Sequence, residues 1–401
     1  MTAYLDHVAT TPMVPEAVEA LTQELTRTGN ASSLHASGRR ARRVVEEARE
    51  SLGGLLGAGP SEILFTSGGT EADNLAIKGL FWARRAADPR RRRVLVTAVE
   101  HHAVLDAAQW LATAEGAETV LLPVDRTGRV DVGALKDALA ADPDGVALVS
   151  VMWANNEVGT VQPIGEVTRL AHEFGVPVHT DAVQALGTLP VDFAASGVDC
   201  LTVSGHKVGG PIGVGALLAR RGLELVPVLH GGGQERKIRS GTLDAAAVHA
   251  FAVAVRVGVA RREEEAERLT RLRDALVSGV VEAVPEAVAR GDLSAGGRLP
   301  GVAHLTFSGC EGDSLLYLLD ARGIECSTGS ACQAGVPQPS HVLTAMGVPE
   351  EEARGALRFS LGWTSTEGDV DAVLQAIGPV VQRARRAGLS SLPHAAGPAR
   401  S

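Results

Sequence analysis

Cysteine is scarce: four in 401 residues cannot build a disulfide framework. The chain also lacks an opening n-region, apolar h-region and cleavage site. Together these absences give the expectation of a cytoplasmic protein with reduced thiols. No apolar run reaches the length of about 18 to 20 residues that a membrane-spanning helix needs. A basic excess is missing as well. The formal charge of −9 and pI near 5.8 argue against general binding to nucleic acid or to an anionic membrane surface. Aromatic residues make up only 3%, against a hydrophobic content of 45%, which is ordinary for a protein with a sizeable core. What remains is a chain long enough for a large domain and a smaller one, with a small molecule as its expected partner.

The stretch around which the chain is organised is Val203-Ser204-Gly205-His206-Lys207. It ends an apolar run that begins at Cys200 and leads into the glycine-rich 208–215. A strand that delivers a lysine onto a turn, just after a serine and a histidine, suits a lysine held as a Schiff base beside a phosphate. On this segment alone a surface lysine at a strand end is an equal reading. The other segments decide between them.

In chain order, Tyr4 to Pro12 is too short for a domain and is expected to lie across a larger body. Pro15 opens a helix with Val18, Leu21 and Leu25 on one face. The segment 29–35 has turn chemistry. A helix over 40–56 stops at Gly57-Ala58-Gly59-Pro60. Ile63 to Thr66 reads as a buried strand running through Ser67-Gly68-Gly69-Thr70 into a helix. A glycine turn at a helix N-terminus is an anion site, here expected to take a phosphate. It is neither a dinucleotide fingerprint nor a Walker A loop.

Three further strands repeat the pattern. Val94 to Thr97 leads to Glu100-His101-His102 and a helix over 104–114. Val146 to Met152 leads to Asn155-Asn156 and a helix over 164–174. Val176 to Asp181 leads to Gln184. No further residues have metal-ligand spacing to the paired histidines, so no metal is expected. Strands alternating with helices predict a mostly parallel, doubly wound α/β sheet with its functional groups at the strand ends. Residues 214–218 suggest an antiparallel edge strand. His230 to Thr242 is a loop of glycines, cations and a hydroxyl, suited to contacting a phosphate or another subunit. A helix follows from Ala245 to about Val280, and the charges of Arg261 to Arg273 mark the start of a second domain.

That second domain offers a strand over 302–307, a helix around 315–319, and Cys326-Ser327-Thr328-Gly329-Ser330-Ala331-Cys332. Between Ser327 and Pro339 hardly any residue could anchor a core, which puts Cys332 on an exposed, mobile loop where thiolate chemistry explains it better than packing does. Cys200, Cys310 and Cys326 sit in or beside apolar segments and are expected to pack. A late strand over 356–362 carries Arg358, a guanidinium fork suited to a carboxylate. A helix over 370–387 then gives way to a Gly/Pro/Ser-rich tail expected to be disordered.

Taken together, Tyr4 to about Arg383 resembles the cysteine desulfurases of the NifS/IscS type, group I, in the aminotransferase class V fold of pyridoxal-phosphate enzymes. The most specific motifs are 204–207 and 327–332. The resemblance implies an aspartate-aminotransferase-like fold (fold type I). Its large domain, 13–260, would hold a mostly parallel seven-stranded sheet. A smaller α+β domain, 1–12 with 261–387, would carry the cysteine loop at about 325–340.

The resemblance also implies roles. Lys207 is the Schiff-base lysine, Asp181 pairs with the pyridinium nitrogen, and Gln184 and Asn156 lie near the phenolic oxygen. His101 stacks on the ring and handles protons. Gly69, Thr70, Ser204 and His206 surround the phosphate, with Thr242 contributed from the other subunit of a homodimer. Asn30 and Arg358 hold the substrate carboxylate, and Cys332 accepts sulfur as a persulfide for an iron–sulfur scaffold or a tRNA-thiolating enzyme. Two departures stand out: Ala31 replaces a usual proline, and 209–212 lacks the aromatic and the lysine common after the Schiff-base lysine. A selenocysteine lyase or other C–S lyase would not need Cys332, and a non-catalytic scaffold of this fold would need neither Cys332 nor Lys207.

Overall fold

The structure, a computed structural model, describes residues 2–329 and 339–391. Twelve strands are present among these residues: β1 (Ala3–Tyr4), β2 (Ile63–Thr66), β3 (Arg93–Thr97), β4 (Glu118–Leu122), β5 (Val146–Ser150), β6 (Val178–Asp181), β7 (Cys200–Ser204), β8 (Gly215–Ala219), β9 (Ala287–Arg290), β10 (Val302–Phe307), β11 (Ile324–Glu325) and β12 (Ala356–Ser360). Seven form the large sheet, in the order β2-β8-β7-β6-β5-β3-β4. Their short Val/Leu/Ala runs are buried along their whole length in β2, β5, β6, β7 and β8, as expected where helices cover both faces.

Strand β8 is antiparallel, as the sequence suggested, but it is not at an edge. It pairs with β7 on one side and β2 on the other. The earlier strand β2 adds outside it and takes the edge. On the opposite edge, β4 and the helix Val132–Ala141 were not anticipated. β4 alternates poorly, with three of its five residues half-buried or better and two exposed, so its period is weak.

Most expected site residues lie at strand carboxyl ends: Asp181 and Ser204 are the last residues of β6 and β7, and Gly69 and Thr70 follow β2, His101 β3, Asn156 β5, Gln184 β6, and His206 and Lys207 β7. Helix Pro15–Leu25 differs from its predicted facing. Ala17 and Ala20 are buried, whereas Val18 and Leu25 are exposed, because small residues let the helix approach the long helix Ala245–Ala283 closely.

That long helix joins two cores. Its Ala/Val-rich start, Ala246 to Val255, is buried with the large sheet, and Leu269, Leu272, Leu276 and Val280 are buried with the second core. The charged middle lies between them. The second core gathers on an antiparallel sheet, β12-β10-β9, with the parallel pair β1-β11 beside it. The last helix, Glu367–Ser391, begins earlier and runs further than predicted.

Candidate active site

One cavity brings together Gly69, Thr70, Asp73, His101, Asn156, Asp181, Gln184, Ser204, His206 and Lys207. These are all but one expected from the sequence; Asp73 was not. Gly68 has φ +149° and leads into helix Gly69–Ala87, whose first backbone N–H groups have no partner within the helix. A Cβ on Gly69 would sit 3.0 Å from Val183 Cγ2 and crowd this wall. Free N–H groups, the positive helix end and the hydroxyls of Thr70 and Ser204 form an anion cup. The same cavity holds a buried carboxyl, Asp181, and an amine. The residues present therefore fit a group with a phosphate, a protonatable ring nitrogen and a carbonyl carbon, as pyridoxal phosphate has.

Lys207 Nζ donates to the carbonyls of Val8 and Ala9 at 2.6 and 2.8 Å. The N-terminal segment thus crosses the sheet end to seat the amine. Burial, and then the Arg358 charge, lower its pKa to about 8. His101 caps helix His102–Glu115, with Nδ1 accepting from Ala103 N at 3.1 Å. In the neutral ring the proton is then on Nε2. Burial lowers the pKa of His101, and brings that of His206 to about 4. Asp181 accepts from Val183 N at 2.9 Å, and burial raises its pKa.

An adjoining cavity is lined by Val8, His101, Asn156, Gln184, Lys207 and Arg358, together with Ser327 and His341. Arg358 is a strand residue of β12. It donates through Nη2 to Asp6 Oδ1 at 2.8 Å and through Nη1 to Asn156 O at 3.1 Å, and its buried Nε has no partner among the described residues. Asn30 and Thr242 line neither cavity, and both are exposed. Cys332 lies outside the described residues. The three other cysteines are buried free thiols, and burial pushes Cys326 up to about 12.

Sequence reasoning missed three acids. Asp6 pairs with Arg358. Glu100 is fully buried, with Oε1 accepting from Thr97 Oγ1 at 2.6 Å and Met152 N at 2.7 Å. Asp73 is buried on the first helix of the site. Glu100 adjoins a singled-out histidine, which is the only signal that could have drawn attention to it.

The aminotransferase class-V family model matches residues 3–373. The chain is 59% identical to an "IscS-like cysteine desulfurase" of Mycobacterium tuberculosis, over 97% of this chain and 98% of the relative. It is 44% identical to "Cysteine desulfurase NifS" of Azotobacter vinelandii, over 95% of this chain and 93% of that one. A solved structure titled as a NifS-like protein superposes with a TM-score of 0.87 at 36% identity, covering 96% of this chain and all of the other.

Proposed function

The chain belongs to the aminotransferase class-V family, among its pyridoxal-phosphate-dependent cysteine desulfurases, and from that membership we propose how its own residues divide the reaction. The enzyme acts on L-cysteine and transfers the sulfur to acceptors. When bound, the cofactor supplies an electron sink for the substrate carbon that loses its proton. Lys207 would hold it covalently and Asp181 would face its ring nitrogen. Gly69, Thr70, Ser204 and His206 would surround its phosphate, Gln184 and Asn156 would lie near its phenolic oxygen, and His101 would lie against the ring.

The observation that carries this assignment is the seat of Lys207. An amine oriented by two carbonyls, with its pKa brought to about 8, is partly neutral at physiological pH and can take the substrate's α-proton. Arg358 lines the same space and would exchange Asp6 for the substrate carboxylate, with Asn30 assisting. His101, with its proton on Nε2, would serve later proton transfers. The Cys332 thiolate attacks the substrate sulfur: an S–S bond forms, the carbon–sulfur bond breaks, and its electron pair goes to the carbon. After reprotonation the products are L-alanine and a persulfide on Cys332.

We further infer a cytoplasmic homodimer that hands its sulfur to an iron–sulfur scaffold or a tRNA-thiolating enzyme. Exposure of Thr242, away from this chain's own cavity, supports its working across a dimer, and Leu25 and Leu34, which flank Asn30 in the sequence, are both exposed. The mechanism is tested by the yields of alanine and sulfide from L-cysteine, with and without a reducing thiol, on wild type and Cys332→Ser. Equal yields with thiol, persulfide without it and loss of both in the variant are expected. Undiminished product from the variant, or pyruvate in place of alanine, would make the enzyme a C–S lyase.

A further inference from the structure

Three buried carboxyl groups lie under or beside the cofactor cavity, and the mechanism uses only Asp181. We propose that Asp73 is a positioning residue that remains a neutral carboxylic acid, so that the pair Asp73 and Asp181 carries one negative charge and that charge settles on Asp181. The inference rests on Asp181 facing the cofactor's ring nitrogen.

Asp73 is 1% exposed and lines the same cavity as Asp181. Among the described residues no lysine or arginine pairs with it. Its Oδ1 lies 3.5 Å from His179 Nε2 and makes no hydrogen bond, while Thr202 reaches the carboxyl. His179 cannot balance a charge there. It is fully buried on β6, two residues before Asp181 and so on the same strand face. Burial brings its pKa to about 3, and its ring nitrogens are taken by Ser150 Oγ at 2.9 Å and Thr202 Oγ1 at 3.0 Å. Asp73 is thus a carboxyl beside a neutral imidazole and a hydroxyl. The titratable groups acting on it are Asp181 and Glu100, both acids.

Asp181 differs. It accepts from the Val183 N–H at 2.9 Å, and the Lys207 amine and the His101 ring favour its ionised form. An isolated buried carboxylate costs several kcal/mol, and a like charge nearby makes ionising a second one costlier still. The proton therefore goes to the member with no cation, which is Asp73. Glu100, with its second oxygen unpartnered and its pKa raised to about 8 by burial, is mostly protonated at neutral pH. The consequence is that the ring nitrogen meets one carboxylate, and Asp181 alone sets its protonation.

The test is infrared spectroscopy of the holoenzyme with a heavy-carbon label on aspartate, which separates aspartate from glutamate bands. At neutral pH the wild type should show a protonated-aspartate band that disappears in Asp73→Asn. Because this variant replaces a neutral group by a neutral one, the pH midpoints of cofactor binding should stay where they are in wild type. Absence of the labelled band in wild type overturns the proposal, and that measurement needs no variant to fold. Its persistence in Asp73→Asn, or a shift of those midpoints by about one pH unit or more, overturns it too. Asp181→Asn separates the two readings. If cofactor absorbance and affinity ignore Asp181 while the Asp73 band is present, the underlying assignment of Asp181 fails and the protonation of Asp73 stands.

Discussion

Two buried acids, Glu235 and Asp181, are hidden from water to a similar degree, at 1% and 6% exposure, yet they are provisioned in opposite ways. Glu235 receives both ends of the Arg49 fork, at 2.7 and 2.9 Å, and the Phe65 N–H at 2.9 Å. Its oxygens are matched in charge and in hydrogen bonds, which ties the 230–242 loop to helix Ala36–Leu56 and to β2. Asp181 sits with Asp73 and Glu100 in a place that holds more acid than cation. The difference teaches how to read buried charge in this fold. A charge that locks structure brings its partner along in the same chain; a charge kept for function is left short of one, so that an incoming group completes it.

The sharpest way to break the structural side of this comparison is Glu235→Ala. Removing one partner strands the Arg49 guanidinium in the interior, with an expected loss of about 3–5 kcal/mol in denaturant unfolding. A loss below about 1 kcal/mol would show that the fork is not a lock. The functional side is sharpened by pH. In the protein without cofactor the Lys207 amine has its pKa lowered to about 8 by burial, against 10.5 for the free side chain. Between these values the unfolded chain binds more protons than the folded one, so the burial cost, present in full below pH 8, is relieved as pH rises. Lys207 should contribute a stability gain of about 1.4 kcal/mol per pH unit in this window, and Lys207→Met should remove that slope. Equal slopes in the two proteins would mean that the amine is not desolvated. The smallest effect is expected at Cys326, whose buried thiol is held near 12 and is inert at neutral pH. Cys326→Ser should leave alanine formation within about twofold and stability within about 1.5 kcal/mol. A changed pattern of disulfides after mild oxidation would instead make it a resolving thiol.

The same comparison explains what was legible in the sequence. The placement of Lys207, Asp181 and Thr70 was readable because each ends or closely follows an apolar strand, and an α/β sheet puts such positions on one edge. The strands themselves were readable from their continuous Val/Leu/Ala runs. Asp73 and Glu235 were not, since an acid on a charged-looking helix or in a glycine-rich loop reads as solvated until packing buries it. Strand β4 and helix Val132–Ala141 escaped notice because an edge strand half in water has no clean period. Helix Pro15–Leu25 was found, but its face was assigned by size: Val18 and Leu25 are larger than Ala17 and Ala20, yet close helix contact favours the alanines.

Asp181 has no ion pair among the described residues, so the cofactor's ring nitrogen is left to complete it, and the most direct test is the affinity of the cofactor-free protein for pyridoxal phosphate in Asp181→Asn and in Glu235→Gln. A drop of about tenfold or more is expected for Asp181→Asn. Folded Glu235→Gln should bind as wild type does. Equal affinities in Asp181→Asn and wild type would contradict it.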